Sequence, residues 1–132
     1  MRSTAAVLLP PCLAMALAGT PPLRAAPPTE AYLAYVRAAP KAAALEDLFP
    51  HLSKAYCAML RSRPKQDRAL WLERLKESVD LDELRITQET VSGRTCTLEG
   101  TAKRRGGPPL RGKVSLVLEA GGWKLDEQFW ST

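Results

Sequence analysis

The feature that most constrains this chain is a change of hydrophobic period near residue 80. Upstream of it, Leu45, Leu48, Phe49, Leu52, Tyr56, Met59 and Leu60 recur at the three-and-four spacing of an amphipathic helix. Downstream, Cys96, Leu98, Gly100 and Ala102 alternate with Thr95, Thr97, Glu99 and Thr101, the period of a half-buried strand. Helices that all precede the strands cannot build a parallel α/β sheet. They predict an α+β domain in which three or four N-terminal helices cover one face of a four-stranded antiparallel meander.

Within the helical part, Thr29 is placed to cap a helix from Glu30 to about Ala38, and Pro40 interrupts it. A second helical run extends from Ala42 to about Arg61. Pro50 inside it predicts a kink or two short helices, with Pro50 in the first turn of the second. Pro64 opens the next helix, through about Ser78, which buries Trp71, Leu72 and Leu75. RITQETV reads as the first strand, GRTCTLEGTA as the second, and GKVSLVLEAGGWKLDEQFWST as a closing hairpin.

If Gly121 and Gly122 form the turn of that hairpin, its register follows. Val114, Leu116, Leu118 and Ala120 then face the core opposite Phe129, Glu127, Leu125 and Trp123. Trp130 falls on the solvated face beside Lys113, and Glu119 pairs with Lys124 across the strands. Glu127 is the odd residue, a carboxylate on the apolar face. There it would serve as a general base or hold a ligand amine, unless a bulge or an arginine removes it from the pocket.

The first 26 residues differ in kind. Arg2 precedes the apolar run AAVLLPPCLAMALAG, then come small residues and prolines, with no acid anywhere. This is the pattern of a secretory signal peptide, cleaved after Ala18 or near Ala25-Ala26, and it leaves residues 27–132 as a single exported domain, periplasmic or secreted. Cys12 lies inside the apolar run after LPP, a poor lipobox, so processing to a free protein is preferred over lipidation. Export leaves Cys57 and Cys96 in an oxidising compartment. They are read equally as a disulfide closing a loop of about 40 residues, on the order of 3 kcal/mol, or as two buried thiols.

Several chemistries are excluded. His51 is the sole histidine of 132 residues, so neither a zinc site nor any other metal or cofactor is expected. No phosphate-binding glycine loop, HExxH or GxSxG elbow occurs. Tyr32, Tyr35 and Tyr56 could present hydroxyls to a pocket, although at helical spacing such residues also serve as packing with wet tips. The segment KRRGGPPLRGK carries Lys103, Arg104, Arg105, Arg111 and Lys113 and no acid. As an anion-binding loop it would touch envelope headgroups or an acidic patch. Without interleaved aromatics, and with a net charge of only +5, nucleic acid is not an expected partner.

The order of helices and meander, together with LEDLFPHLSKA, GKVSLVLEAGGWKLDEQFW and the closing tryptophan, resembles the small exported bacterial proteins of the nuclear transport factor 2-like superfamily, over about Thr29 to Trp130. The resemblance implies a cone, in which a curved antiparallel sheet wraps a helix and leaves a pocket at its open end. Superfamily members include isomerase-like and cyclase-like enzymes and many non-catalytic binding modules. No Asp/His pair here matches the enzymes' pattern, so the expectation is a non-catalytic domain holding a small apolar molecule or a protein partner. Tyr35, Trp71, Leu98, Leu116, Trp123 and Glu127 are its candidate pocket residues, and the outer sheet face, with Val117 and Trp130, is a candidate homodimer surface. The alternative is an isomerase or cyclase with Glu127 as base, assisted by Tyr56 or His51.

Overall fold

The computed structural model describes residues 26–132. The expected signal peptide and its cleavage points lie outside the described residues, apart from Ala26. The described chain is α+β: α1 (Pro28–Ala38), α2 (Lys54–Arg61) and α3 (Arg68–Ser78) precede β1 (Leu81–Ser92), β2 (Thr95–Arg104), β3 (Pro109–Glu119) and β4 (Gly122–Ser131). The strands form one open antiparallel meander in the order β1-β2-β3-β4. Its inward residues Cys96, Leu98, Val114, Leu116 and Leu125 join Tyr32, Tyr35, Leu48, Leu60 and Leu75 of the helical layer in one core. Each leucine taken fully out of water there contributes about 1.5–3 kcal/mol.

The ends of the helices depart from the expected caps for tertiary reasons. α1 starts two residues early, with Pro28 in its first turn, where a missing N–H costs nothing. Thr29 is capped from outside: its amide and hydroxyl both donate to Glu89 Oε1 on β1, at 3.1 and 2.7 Å. Pro50 closes a 3-10 segment, Leu45–His51, instead of opening α2. The chain then goes extended at Leu52, which bridges Leu125, and Ser53 N–H donates to Leu125 O at 2.8 Å. This contact covers part of the free edge of β4, which would otherwise offer unpaired backbone groups. Ser53 then caps α2, its Oγ accepting from Tyr56 N–H at 3.0 Å. At the opposite edge β1 is broken by two irregularities, between Asp82 and Arg85 and between Ile86 and Gln88.

The closing hairpin has a different register from the one its glycines suggest. Glu119 pairs with Gly122 and Leu118 with Trp123, so the turn is Ala120-Gly121 and Ala120 does not face Trp123. Glu119 and Lys124 are therefore not a cross-strand pair. The Glu119 carboxylate accepts from Lys54 N–H at 3.0 Å, and Lys124 Nζ donates to Pro50 O at 2.6 Å. A bulge follows: Leu116 pairs with Leu125 but Ser115 with Glu127, leaving Asp126 unmatched. Ser53 holds the extra residue through a 2.7 Å hydrogen bond from its Oγ to Asp126 Oδ1. One extra residue inverts the facing of everything beyond it. Glu127 and Phe129 turn outward, while Gln128 opposite Val114 and Trp130 opposite Gly112 turn toward the helices. The indole lies so close over Gly112 that a Cβ there would overlap its ring.

Candidate functional site

The inverted end of β4 creates a polar cluster inside the layer between sheet and helices. Tyr32 on α1 donates its hydroxyl to Gln128 Oε1 at 2.7 Å. Trp130 Nε1 donates to both Tyr32 Oη and Gln128 Oε1, each at 3.3 Å. Gln128 Nε2 donates to Ser78 Oγ at 3.1 Å, and Ser78 Oγ in turn donates to Leu75 O at 2.7 Å. Tyr35, one turn along α1, is fully buried, and its hydroxyl has no hydrogen-bond partner among the described residues.

Burial pushes the Tyr32 phenol up to about 12, partly offset by the Trp130 hydrogen bond. Burial raises Tyr35 further, with Tyr56 and Tyr32 adding to it and the nearby Ser78 hydroxyl opposing it, and burial raises Tyr56 as well. All three phenols stay protonated near neutral pH, so they are hydrogen-bond donors and not bases. His51, half-buried with its ring centroid 6.2 Å from that of Tyr35, is shifted down by burial and by the Lys124 ammonium.

Beside this cluster a groove of about 340 Å³ opens between α2 and the edge of β4. Ala55, Tyr56 and Met59 form its helix wall; Asp126, Glu127 and Gln128 form its strand wall. Gln128 thus belongs to both the groove and the interior network. One side of the groove is aliphatic, thioether and aromatic, and the other carries two carboxylates.

A scan of protein-family models and a search of the curated proteins both find no match to this chain.

The sequence-predicted pocket residues do not converge. Tyr35, Leu98 and Leu116 are packed core, at 0%, 0% and 1% exposure. Trp123 anchors the hairpin end against that core. Trp71 on α3 lies at its margin, with the guanidinium groups of Arg63 and Arg74 each 5.2 Å from its ring centroid. Of the six, Glu127 alone lines the groove, and it does so from the exposed side of β4. The burial on which its use as a base rested is lost to the bulge.

The basic loop is divided as well. Arg104 Nη1 donates to Glu77 O at 3.1 Å, capping the carbonyl end of α3, and Arg105 lies 3.9 Å from Asp80. These two line a separate cleft of about 550 Å³ with Arg74, Glu77, Ser78 and Asp80. Lys103, Arg111 and Lys113 stand exposed on the strands instead. Cys57 and Cys96 are both free and buried. The Cys57 thiol is directed to the Phe49 and Leu52 carbonyls at 3.6 and 3.8 Å, while Cys96 packs on the core face of β2. The disulfide is therefore not formed, and burial raises both thiols away from reactive thiolate. Among the described residues no three His, Cys, Asp or Glu side chains come together as metal ligands, and no helix is long and apolar enough to cross a membrane.

Sequence reasoning missed Gln128, Ser78, Met59 and Asp126. No local signal marks Gln128, because only the bulge makes it an inward residue. Tyr32 and Tyr35 were legible as one helical face, since three residues apart they share a side of α1.

Proposed function

We propose that this chain is a non-catalytic binding domain that takes a small molecule with an apolar body and a cationic end in the groove between α2 and β4. The observation that carries this reading is the pairing of walls in that groove: Ala55, Tyr56 and Met59 opposite Asp126 and Glu127, over Gln128. The apolar wall shelters a hydrocarbon portion, and the carboxylates favour an amine or guanidine at the rim. Gln128 is held by three groups from three elements, Tyr32, Ser78 and Trp130, so the floor is ordered before any ligand arrives. The same reading takes the domain as exported and as a member of the nuclear transport factor 2-like cones. The leader-like N-terminus, the helices-then-meander order and the one-sided helical layer support this. Enzymatic use of Glu127 has less support, because its carboxylate is solvent-exposed.

The test is a titration of methyl-labelled protein with hexylamine and, separately, with hexanoate, following the Met59 methyl signal. The amine shifts it and the acid does not. Replacing Asp126→Asn with Glu127→Gln weakens the amine by roughly 5-fold or more, as loss of two partly exposed ion pairs should. Equal response to both probes, or no response at Met59, refutes the groove as the site.

A further inference from the structure

The bulge at Asp126 has a second consequence, on the other side of the sheet. Phe129 is expelled from the core side and stands 67% exposed on the face that carries none of the described helices. Lys113 lies directly opposite it in the register. The neighbouring row of the sheet runs Ser131, Arg111, Thr101 and Arg85, with two guanidinium groups and no acid. Lys113 has Glu99 across from it, and Glu127 is the next outward residue along β4. At the same end the β2–β3 loop carries Arg105, which is turned to the other side, 3.9 Å from Asp80, and does not belong to this face.

We propose that this end of the outer face docks on an anionic lipid surface, with Phe129 entering the headgroup layer and Arg111, Lys113 and Arg85 held against lipid phosphates. A second copy of the chain is a poor occupant, since a face-to-face pair would set the arginine row against itself. An acidic protein would satisfy the cations but has no need of an isolated exposed ring. A lipid interface uses both: its negative potential gathers basic side chains within a Debye length, and an aromatic ring is favoured at headgroup depth. This surface adjoins the groove at Glu127 but is distinct from it, because the groove walls include neither Phe129 nor any of the basic residues.

The experiment is co-sedimentation of the full chain with vesicles of phosphatidylglycerol in phosphatidylcholine, against phosphatidylcholine alone, each variant compared in the same background. The parent binds the anionic vesicles more tightly and loses the excess at high salt. Each removed cation weakens binding about 5-fold, so Arg111→Ser with Lys113→Ser lowers it by roughly 25-fold. Phe129→Ser lowers it severalfold, and a Phe129→Trp variant is quenched by brominated acyl chains on anionic vesicles alone. Phe129 and the basic residues are exposed, so the fold survives these changes, and unchanged circular dichroism verifies it. The proposal is overturned if Phe129→Ser leaves vesicle binding intact. It is equally overturned if soluble poly-glutamate competes fully and binds the parent and Phe129→Ser alike, which would assign the face to an acidic protein.

Discussion

Tyr32 and Tyr35 offer a controlled pair, two fully buried tyrosines one turn apart on α1 whose hydroxyls differ in what they hold. Tyr32→Phe removes a 2.7 Å donation to Gln128 and an acceptor for Trp130, while leaving the indole its second acceptor on Gln128. The net loss is one strong hydrogen bond and part of a weak one, about 1–1.5 kcal/mol. Tyr35→Phe removes a hydroxyl that makes no well-formed hydrogen bond to a described group, Ser78 being a nearby polar neighbour outside that geometry, so it forfeits at most a weak contact and relieves the desolvation of a buried polar atom. Its effect lies between zero and a stabilisation of about 1 kcal/mol. Urea unfolding followed by tryptophan fluorescence reads both. With a slope of about 1–3 kcal/mol/M, Tyr32→Phe lowers the midpoint by roughly 0.3–1.5 M, and Tyr35→Phe leaves it in place or raises it. Equal losses for the two variants would refute the polar network as the source of the difference.

Two further expectations follow from the same region. Gly112→Ala forces the Trp130 ring from its seat and destabilises by about 1–3 kcal/mol, seen as a lower melting temperature and a red-shifted emission. The pH dependence of stability has two edges. The unfolded chain takes up a proton at His51 near pH ~6.5 that the folded chain resists. Stability is therefore present above that pH and falls below it, and His51→Gln flattens this limb of the urea midpoint against pH. Above about 10 the unfolded chain releases the Tyr32 proton that the folded chain keeps to about 12, so stability falls again between those values, less steeply in Tyr32→Phe.

The class of the fold was legible because hydrophobic period is a local property. The helical spacing through Leu45, Leu48, Met59 and Leu60, and the alternation through Cys96, Leu98 and Gly100, mark helix and strand locally, although the first run is divided into a 3-10 segment and α2 by an extended Leu52. The meander followed from strands joined by short turns; the division of the second helical run was expected near Pro50, but it falls at Leu52, after a 3-10 segment that contains Pro50. The candidate site was legible only in part. Glu127 and the tyrosines were singled out, but Gln128, Ser78 and Asp126 were not, and Trp130 was assigned to the solvated face.

That division has one physical cause. A strand's facing is decided residue by residue, so a single extra residue inverts all that follows it, and the extra residue is held by a partner 73 positions away. Ser53 reaching Asp126 turns Glu127 and Phe129 to solvent and brings Gln128 and Trp130 under Tyr32. Periodicity along the chain determined which segments would be helix and strand and that they would share one core. Which side chains of β4 meet the interior, and which are left for a partner, was decided only when α2 docked against its edge.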